Sequence, residues 1–593
     1  MEIKVSPKEY YQERIQLLQE KLNLLQQRSN RYVALRLVFF LAIPLCVYFF
    51  FSTLYLALTT AALSFGIFLF VVRKSIDVKA QIKFNKALVK INEDELQVLA
   101  GDFSAFDEGE SFKNHQHPFT YDMDFFGAKS VFQYLNRAVS AKGKALLAQQ
   151  LSEGVENVEA YHEATEALLK EVSWTQDFRA KGKVDEGKDE TYIDLWSKEE
   201  LVLPKWLNVA RIIFPIIAGL GLIAKILDRI PDSYFMLILM FCLIPVGLLL
   251  KRTNEQAAKL SKIQGRLDAL RGQLILMREL KATSRLIDGA KSKLFEGKHS
   301  ADNALEQLKK TLERFDLRMN FMVSIVFNMF GAYDLQMMYS LSKWKKQYAA
   351  HIHDWEKELL DMEVLISQMN FRYNYQSQLC YPVLEEEENA SIKVEGLGHP
   401  FLLSGAMVTN DFELKEKEQF VIITGPNMAG KSTFLRSIGV NLALAQAGFA
   451  VVAKEFKFPK LKLYSSMRTA DNLTEESSYF HAELIRLRFI VDAIDRGEKI
   501  FIVLDEILKG TNSKDKEEGS AKFLKKLIAL NTKGIIATHD LSLTKLADED
   551  SRIKNQYFDS IIEGDNISFS YKMHHGVVKN MNASFLLEQM KLV

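Results

Sequence analysis

The sequence has few cysteines and no excess of charge of either sign. Its 593 residues include three cysteines, Cys46, Cys242 and Cys380, which lie far apart and show none of the spacings of metal-ligand clusters. We therefore expect no zinc site, no disulfide framework and no cysteine nucleophile. The 76 basic and 75 acidic residues nearly cancel. Because no global field would draw the chain onto a polyanion, any binding of nucleic acid must come from a local patch.

Charged residues are also missing from a long stretch near the N-terminus. The chain begins with a charged segment, unlike a cleavable signal, and residues 37–72 then contain no charged side chain. That length predicts two membrane spans joined near Ser52 and Thr53. A second, weaker apolar pair covers residues 212–224 and 234–250, with a polar turn between its members. The alternative is that these segments are buried helices of a soluble core.

Basic residues flank both apolar pairs on the same side. They are Arg31, Arg36, Arg73 and Lys74 at the first pair, and Lys205, Arg211, Lys251 and Arg252 at the second. The positive-inside bias places these ends in the cytoplasm, which predicts a multi-pass protein of the cell membrane with cytoplasmic soluble domains. Transport is not favoured, because no ionisable residue lies mid-span to mark a pathway.

Two apolar repeats predict long helices outside the spans. Their members are Tyr11, Ile15, Leu18, Leu22 and Leu25 in residues 8–30, and Leu260, Ile263, Leu267, Leu270, Leu274 and Met277 in residues 251–290. The first seam packs either on the protein's own helices or on a second copy. From about residue 391, apolar strands alternate with helical segments, which predicts a parallel-sheet domain.

One glycine-bounded loop carries the most specific chemistry. It follows an apolar strand pattern and precedes a helix start, the context of a phosphate-binding loop. The loop consists of Gly425, Pro426, Asn427, Met428, Ala429, Gly430, Lys431, Ser432 and Thr433. Its backbone N–H groups and the helix N-terminus are expected to wrap phosphates. Lys431 would reach the β- and γ-oxygens and the Ser432 hydroxyl would hold Mg²⁺, so ATP and Mg²⁺ are the expected ligands.

Two further apolar strands end in polar residues that complete such a site. One leads into Asp505 and Glu506, and the other leads into His539. Asp505 is expected to hold Mg²⁺ through water, opposite Ser432. Glu506 is expected to orient or deprotonate the attacking water. His539 is expected to sense the γ-phosphate. Together with Lys431, Glu506 and His539 form the predicted catalytic set.

These motifs resemble those of the MutS family. The pair Asn427-Met428 is distinctive of that family rather than of P-loop proteins at large. In the ATPase region, residues 505–513 resemble the family's second motif, Asp515 resembles its D-loop aspartate and His539 resembles its switch histidine. Upstream, residues 398–400 resemble the entry to its ATPase domain, and residues 124–127 and 136–143 resemble the start of its helical core. The resemblance is strong over about 391–580 and moderate over about 118–180.

The resemblance implies a composite ATPase site shared by two subunits. Residues 471–483 resemble the family's signature loop, in which Ser478 would reach the partner's γ-phosphate. Tyr571 is placed where the family stacks a ring on adenine. Two departures stand out: Glu476 replaces the usual glycine of that loop, and a carboxylate there would repel a phosphate. The mismatch-reading domains also have no counterpart in the first 118 residues.

The predicted fold is multidomain. An α-helical core and lever region carries two transmembrane helical hairpins, and a P-loop α/β ATPase domain with a mostly parallel sheet follows. The predicted boundaries are residues 1–30 for an amphipathic helix, 31–74 for the first transmembrane hairpin, 75–204 for the first part of the helical core, 205–252 for the second hairpin, 253–390 for long helices of the core and lever, and 391–593 for the ATPase domain.

Three functions fit these patterns. The first is a membrane-anchored MutS-like ATPase that works as a homodimer through its ATPase domains and moves its helical arms on an unidentified client protein. The second is a membrane-tethered repair or recombination factor that binds mismatched or branched DNA; the missing reader domains and neutral charge oppose it. The third is an ABC-type exporter, which the Asn427-Met428 loop and the small number of spans oppose.

Overall fold

The structure is a computed structural model that describes residues 6–183, 191–318, 321–387, 390–468, 479–509, 511–563 and 566–578. It divides into two compact units. One comprises Met1–Arg137, Leu147–Leu169 and Ser367–Val593, and the other comprises Ala138–Leu146 and Lys170–Ile366. The described chain is helical before its first strand at residue 383 and α/β after it. A helical region followed by an α/β domain is the order that the sequence predicted.

The helical region begins with two very long helices. Its α-helices within the described residues are α1 (Pro7–Phe49), α2 (Leu54–Leu99), α3 (Val131–Leu135), α4 (Ala141–Glu153), α5 (Val158–Leu168), α6 (Val172–Gly182), α7 (Thr191–Lys198), α8 (Leu207–Ile226), α9 (Asp232–Glu279), α10 (Arg285–Phe295), α11 (Ala301–Arg318), α12 (Phe321–Gly331), α13 (Tyr333–Tyr348) and α14 (Ile352–Asn374).

Helix α1 starts at a capping box and turns back into α2. The Ser6 hydroxyl accepts from the Glu9 amide, while the Glu9 carboxylate accepts from the Ser6 amide at 3.0 Å. The chain reverses between Phe49 and Leu54, as the sequence predicted near Ser52, and the two helices pack along each other. The predicted helix over residues 8–30 is confirmed. It continues through the apolar stretch as one helix of 43 residues.

Four of the described helices, α1, α2, α8 and α9, are long and apolar enough to cross a membrane. Their most apolar windows are 0%, 11%, 17% and 28% buried in the same order. Apolar surface that protein leaves uncovered along a whole helix suits lipid better than water. The apolar repeat predicted from Leu260 to Met277 lies on α9, on the C-terminal side of its most apolar part. Every predicted member of this repeat is buried.

A buried ion pair fixes the base of the α1–α2 hairpin. The Arg137 guanidinium donates to both oxygens of Glu95 on α2, at 2.8 and 3.0 Å, and the two side chains are 3% and 1% exposed. The Asn374 amide of α14 donates to Glu95 at 3.1 Å and accepts from the Tyr11 hydroxyl of α1 at 2.8 Å. Hydrogen bonds through Asn374 therefore connect α1 and α14 to the Glu95 carboxylate of α2.

Glu95→Gln is expected to lower the free energy of unfolding by about 3–5 kcal/mol, because it leaves the buried Arg137 without its counter-charge. Thermal unfolding of the purified protein measures the loss. Lys522→Ala is the matched control: its pair with Glu518 is 78% and 57% exposed, so its removal is expected to change stability by under about 0.5 kcal/mol. Equal effects of the two substitutions would contradict this account.

The α/β region contains two sheets. Its strands are β1 (Val383–Glu385), β2 (Ile392–Leu397), β3 (Asn410–Leu414), β4 (Phe420–Thr424), β5 (Glu455–Pro459), β6 (Lys462–Ser466), β7 (Ile500–Asp505), β8 (Lys533–Ala537), β9 (Ile553–Glu563) and β10 (Asn566–His575). Its α-helices within the described residues are α15 (Lys431–Gln446), α16 (Tyr479–Asp495), α17 (Ser513–Ala529) and α18 (Leu546–Glu549).

The larger sheet has the order β10-β9-β4-β8-β7-β6 and is parallel except for β10, which runs antiparallel to β9. Strands β4 and β8 are buried at every residue, as strands covered on both faces must be. The smaller sheet, β1-β5-β2-β3, is mixed and was not predicted. Its first strand ends at Glu385, so the run of four glutamates at 385–388, a composition typical of a solvated linker, begins inside a sheet.

Candidate active site

The strand register brings three predicted segments to one edge of the larger sheet. Ala537 of β8 pairs with Ile423 of β4 on one side and with Asp505 of β7 on the other. Because these strands are parallel, the chain leaves all three at the same end. Ligands of open parallel sheets bind outside the carboxyl ends of the strands. The glycine-bounded loop and the residues after β7 and β8 therefore share one site.

Glycine is required at both ends of the loop. Gly425 has φ 144°, and a Cβ there would lie 2.5 Å from the backbone oxygen of Phe558. Gly430 has φ 106° and immediately precedes α15. Both conformations disfavour other residues. The loop thus passes close to β9 and enters a helix whose first N–H groups have no intrahelical partner.

Gly425→Ala is expected to lower the free energy of unfolding by about 1–3 kcal/mol more than a control glycine substitution, because the clash is with backbone and cannot be relieved by a side-chain rotation. Gly497→Ala is that control: its φ is 84°, with no atom within 4 Å of the added Cβ, so it tests backbone strain alone. Chemical denaturation compares the two. Similar losses would show that the close approach to Phe558 does not constrain the loop.

Lys431, Glu506 and His539 meet at this edge. Lys431 is 6% exposed, and its Nζ donates to the carbonyl oxygens of Gly425 and Pro426 at 2.9 Å each. His539 Nε2 lies 2.9 Å from Glu506 Oε1 and 3.3 Å from Lys431 Nζ. The imidazole of His539 therefore contacts both other members of the predicted catalytic set, Glu506 and Lys431.

Donor rules fix the direction of the imidazole bond. A carboxylate only accepts hydrogen bonds and an ammonium only donates them. A proton on His539 Nε2 is therefore donated to Glu506, which is also the nearer of the two neighbours. This hydrogen bond from His539 lowers the pKa of Glu506 to about 2. Burial lowers the pKa of Lys431, against the opposing effect of the carboxylates of Glu506 and Asp505. Glu506 is therefore ionised at neutral pH and can accept a hydrogen bond.

Asp505 and Ser432 provide hard oxygen ligands of the kind that Mg²⁺ prefers. Ser432 is exposed on the first turn of α15, directly after Lys431. Asp505 ends β7 and is half-buried at the edge described above. The donor set at this edge, with one ammonium, one exposed hydroxyl and two carboxylates, fits a nucleoside triphosphate with its divalent cation.

Tyr571 lies beside the loop. Its ring is 3.3 Å from the position that a Cβ on Gly430 would take, and it is 46% exposed. Asn410 holds the local backbone: its amide donates to the Tyr571 carbonyl at 2.9 Å and accepts from the Met573 amide at 2.8 Å. A half-exposed ring at this place can cover a flat base. The predicted trans residue, Ser478, and the divergent Glu476 lie outside the described residues.

Glu483 of α16 shapes the loop after β7, a role that the sequence did not indicate. Its carboxylate accepts from the backbone amides of Leu508 and Lys509, the second at 3.1 Å. Leu508 and Glu506 have φ of 60° and 51°, which is unusual for residues with side chains. Glu483 thus stabilises a strained turn that sets the direction of Glu506. In the sequence, only the position of Glu483 at the end of the segment 471–483 could have indicated this role.

Comparison with known proteins agrees with this geometry. Residues 421–590 match the family model described as MutS domain V. The chain is 30% identical over 226 residues to the DNA mismatch repair protein MutS of a Thermotoga species, covering 37% of this chain and 27% of that protein. It is 31% identical over 208 residues to the protein of that name from Thermotoga maritima, covering 35% and 25%. It is 34% identical over 173 residues to the DNA mismatch repair protein MutS of Persephonella marina, covering 28% of this chain and 19% of that protein.

The matches thus span about a quarter of the length of these relatives or less. The residues that match the family model include the loop, the strand-end carboxylates and the histidine. The family model and the named relatives support membership of the MutS family, through the domain at residues 421–590.

Proposed function

We propose that the protein is a membrane-anchored ATPase that binds and hydrolyses ATP with Mg²⁺ and uses the reaction to switch conformation. The observation that carries the proposal is the contact of Lys431, His539 and Glu506 at the carboxyl edge of a parallel sheet, beside a glycine-bounded loop. A cation that neutralises phosphate and a carboxylate that orients the attacking water are parts that phosphoryl transfer to water uses.

The chain's own residues have distinct tasks in this proposal. Lys431 neutralises phosphate oxygens, and Ser432 and Asp505 hold the cation. Glu506, ionised and directed by its bond to His539, accepts a proton or a hydrogen bond from the attacking water. Tyr571 covers the base. Bound ATP supplies the phosphoanhydride bond that is cleaved.

Exposure of the apolar helices supports the membrane anchor. Along α1 and α2 the exposed side chains include large aromatic residues at the hairpin tip: Tyr48 at 76%, Phe49 at 72% and Phe51 at 81%. A soluble protein rarely leaves so large a contiguous apolar surface in water. We therefore propose that the pairs α1–α2 and α8–α9 are transmembrane hairpins, with the soluble parts in the cytoplasm.

A polar contact within one unit offers a route between the site and the helical region. The Asp122 carboxylate accepts from the Ser465 hydroxyl at 2.7 Å and from the Met467 and Arg468 amides at 3.2 and 3.1 Å. Arg468 directly precedes the segment that contains Ser478. We propose that closure of a dimer through the ATPase domains, with Ser478 reaching the partner's nucleotide, pulls on Asp122 and so moves the helices.

DNA binding is the second candidate, because the relatives are named DNA mismatch repair proteins. Phosphate-driven binding is strongest at low salt. The purified protein is therefore tested against single-stranded, duplex, mismatched and branched DNA at low ionic strength. Binding of any of these DNA forms would support a repair role. If the protein binds none of them, a protein client is the remaining candidate.

Phosphate release by the purified full-length chain in detergent tests the proposal itself. We expect hydrolysis of ATP that depends on Mg²⁺ and disappears when the cation is chelated. Chelation is reversed by adding Mg²⁺ in excess, which excludes loss of the protein as the cause. The proposal would be contradicted by a protein that shows a cooperative thermal unfolding transition, and is therefore folded, but hydrolyses no ATP at any Mg²⁺ concentration.

A further inference from the structure

The short helix α12 lies in an uncharged stretch that the membrane-span patterns did not include. Between Arg318 and Asp334 the sequence contains no charged residue. Helix α12 has 11 residues, about 16 Å at the usual rise, and is therefore too short to cross a bilayer. Its composition is nevertheless that of a span.

One side of α12 packs on the second apolar pair. Met329 contacts the buried cluster that Ala218 of α8 and Leu239 and Cys242 of α9 form. The Phe330 ring lies 6.5 Å from the ring of Phe235 on α9. Helix α12 is thus attached to the parts of α8 and α9 that are proposed to lie in the bilayer.

The other side of α12 is apolar and uncovered. Val326 is 49% and Phe327 44% exposed. The adjoining helices also expose apolar side chains, among them Leu220 of α8 and Leu237 of α9. Exposed apolar side chains therefore lie on α12 and on both helices that it packs against.

The polar groups around α12 are satisfied away from this surface. Asp334 pairs with Arg318 at 2.8 Å, and the two side chains are 1% and 10% exposed. Asn328, the buried polar residue of α12, donates to the Asp334 carboxylate at 3.1 Å and accepts from the Asp334 amide at 2.8 Å. Both flanking charges and the amide are thereby withdrawn from the outer side, as a lipid environment demands.

The next residues mark the depth of the helix. Ala332 and Leu335 pack with Leu207 of α8 and Leu249 of α9, next to the basic residues that flank this pair. By the positive-inside bias that end of the pair is cytoplasmic. Met329 and Phe330 instead contact Leu239, Cys242 and Phe235, nearer the turn between α8 and α9. Helix α12 therefore lies along the apolar part of the pair, between the lever helices α11 and α13 in the chain.

We propose that α12 is a third membrane-embedded element, seated among the acyl chains beside the α8–α9 hairpin. The inference rests on the proposed membrane anchor and goes beyond it. It makes the lever helices α11 and α13 enter and leave the bilayer surface at Arg318 and Asp334. A change in the lever would then shift α12 within the bilayer.

Fluorescence quenching at single cysteines tests the position of α12. In a background of Cys46→Ser, Cys242→Ala and Cys380→Ser, with folding checked by its thermal transition, Phe327→Cys is labelled with an environment-sensitive dye in proteoliposomes. Leu237→Cys on α9 is the lipid-facing control, and Lys310→Cys on the exposed face of α11 is the aqueous control. Quenchers are lipids brominated on the acyl chain and aqueous iodide.

We expect the Phe327 probe to be quenched several-fold more strongly by the brominated lipid than by iodide, as at Leu237, and the reverse at Lys310. Iodide quenching of Phe327 at the level of Lys310, with Leu237 still in lipid, would overturn the inference and leave the anchor intact. Protection of Phe327 from both quenchers would also overturn it and indicate a second copy or another protein on α12. Iodide access to Leu237 would refute the anchor, and this inference with it.

Discussion

Lys431→Ala is expected to weaken ATP binding by tens to thousands of fold and to abolish turnover. Its Nζ is the buried cation of the loop, held by two carbonyl oxygens that accept and leave its charge free for phosphate. Truncating a buried, hydrogen-bonded charge pair costs about 2–5 kcal/mol, and each 1.4 kcal/mol is roughly tenfold in Kd. Titration of a fluorescent ATP analogue measures the loss.

Lys462→Ala is the matched control for that substitution. Lys462 lies in the same domain, but its side chain is 70% exposed and pairs with Glu498 on the surface. We expect its Kd for the analogue to equal that of the unmodified protein. A Lys431→Ala protein that keeps its thermal transition and binds the analogue equally well would show that the loop does not hold phosphates.

Glu506→Gln is expected to slow ATP turnover by about 10²–10⁴-fold while ATP binding is retained, since it removes the group that accepts a proton or hydrogen bond from water. The amide oxygen of glutamine can still accept from His539 Nε2, so the turn after β7 is expected to keep its shape. Single-turnover hydrolysis, measured beside equilibrium binding, separates the two effects.

The control for this second substitution is Glu518→Gln. Glu518 lies on α17 with 57% of its side chain exposed and takes part in a surface pair. Its replacement is expected to leave turnover unchanged. If Glu506→Gln hydrolysed ATP at the rate of this control, the carboxylate after β7 would have no part in the chemistry and the assignment of the site would be wrong.

The sequence was informative where a function depends on contiguous residues. The loop at 425–433, the pair Asp505-Glu506 and His539 each follow an apolar strand, and a parallel sheet brings the ends of such strands to one edge. Their proximity could therefore be predicted. The contact of Lys431 with His539 could not, because side chains 108 residues apart meet only after the strand order is known.

Other features depend on pairing between distant and short segments. Strand β1 has three residues and pairs with β5, more than 70 residues later, so nothing local distinguishes it from an acidic linker. Glu483 acts on backbone amides 25 and 26 residues away. Helix α12 is shorter than a span and shows its apolar outer side only once α8 and α9 cover the inner one.

Hydrolysis of ATP by protein that floats with lipid tests the central claim most directly. The purified chain is reconstituted into liposomes and floated on a density gradient, and phosphate release is measured in the floated fraction for the unmodified and the Glu506→Gln proteins. A separate portion is extracted with alkali before flotation to test whether the chain is inserted in the lipid. We predict Mg²⁺-dependent release by the unmodified protein in the floated fraction and about 10²–10⁴-fold less by the variant. Protein that stays at the bottom of the gradient, or equal rates for the two proteins, would contradict a membrane-anchored ATPase built on this site.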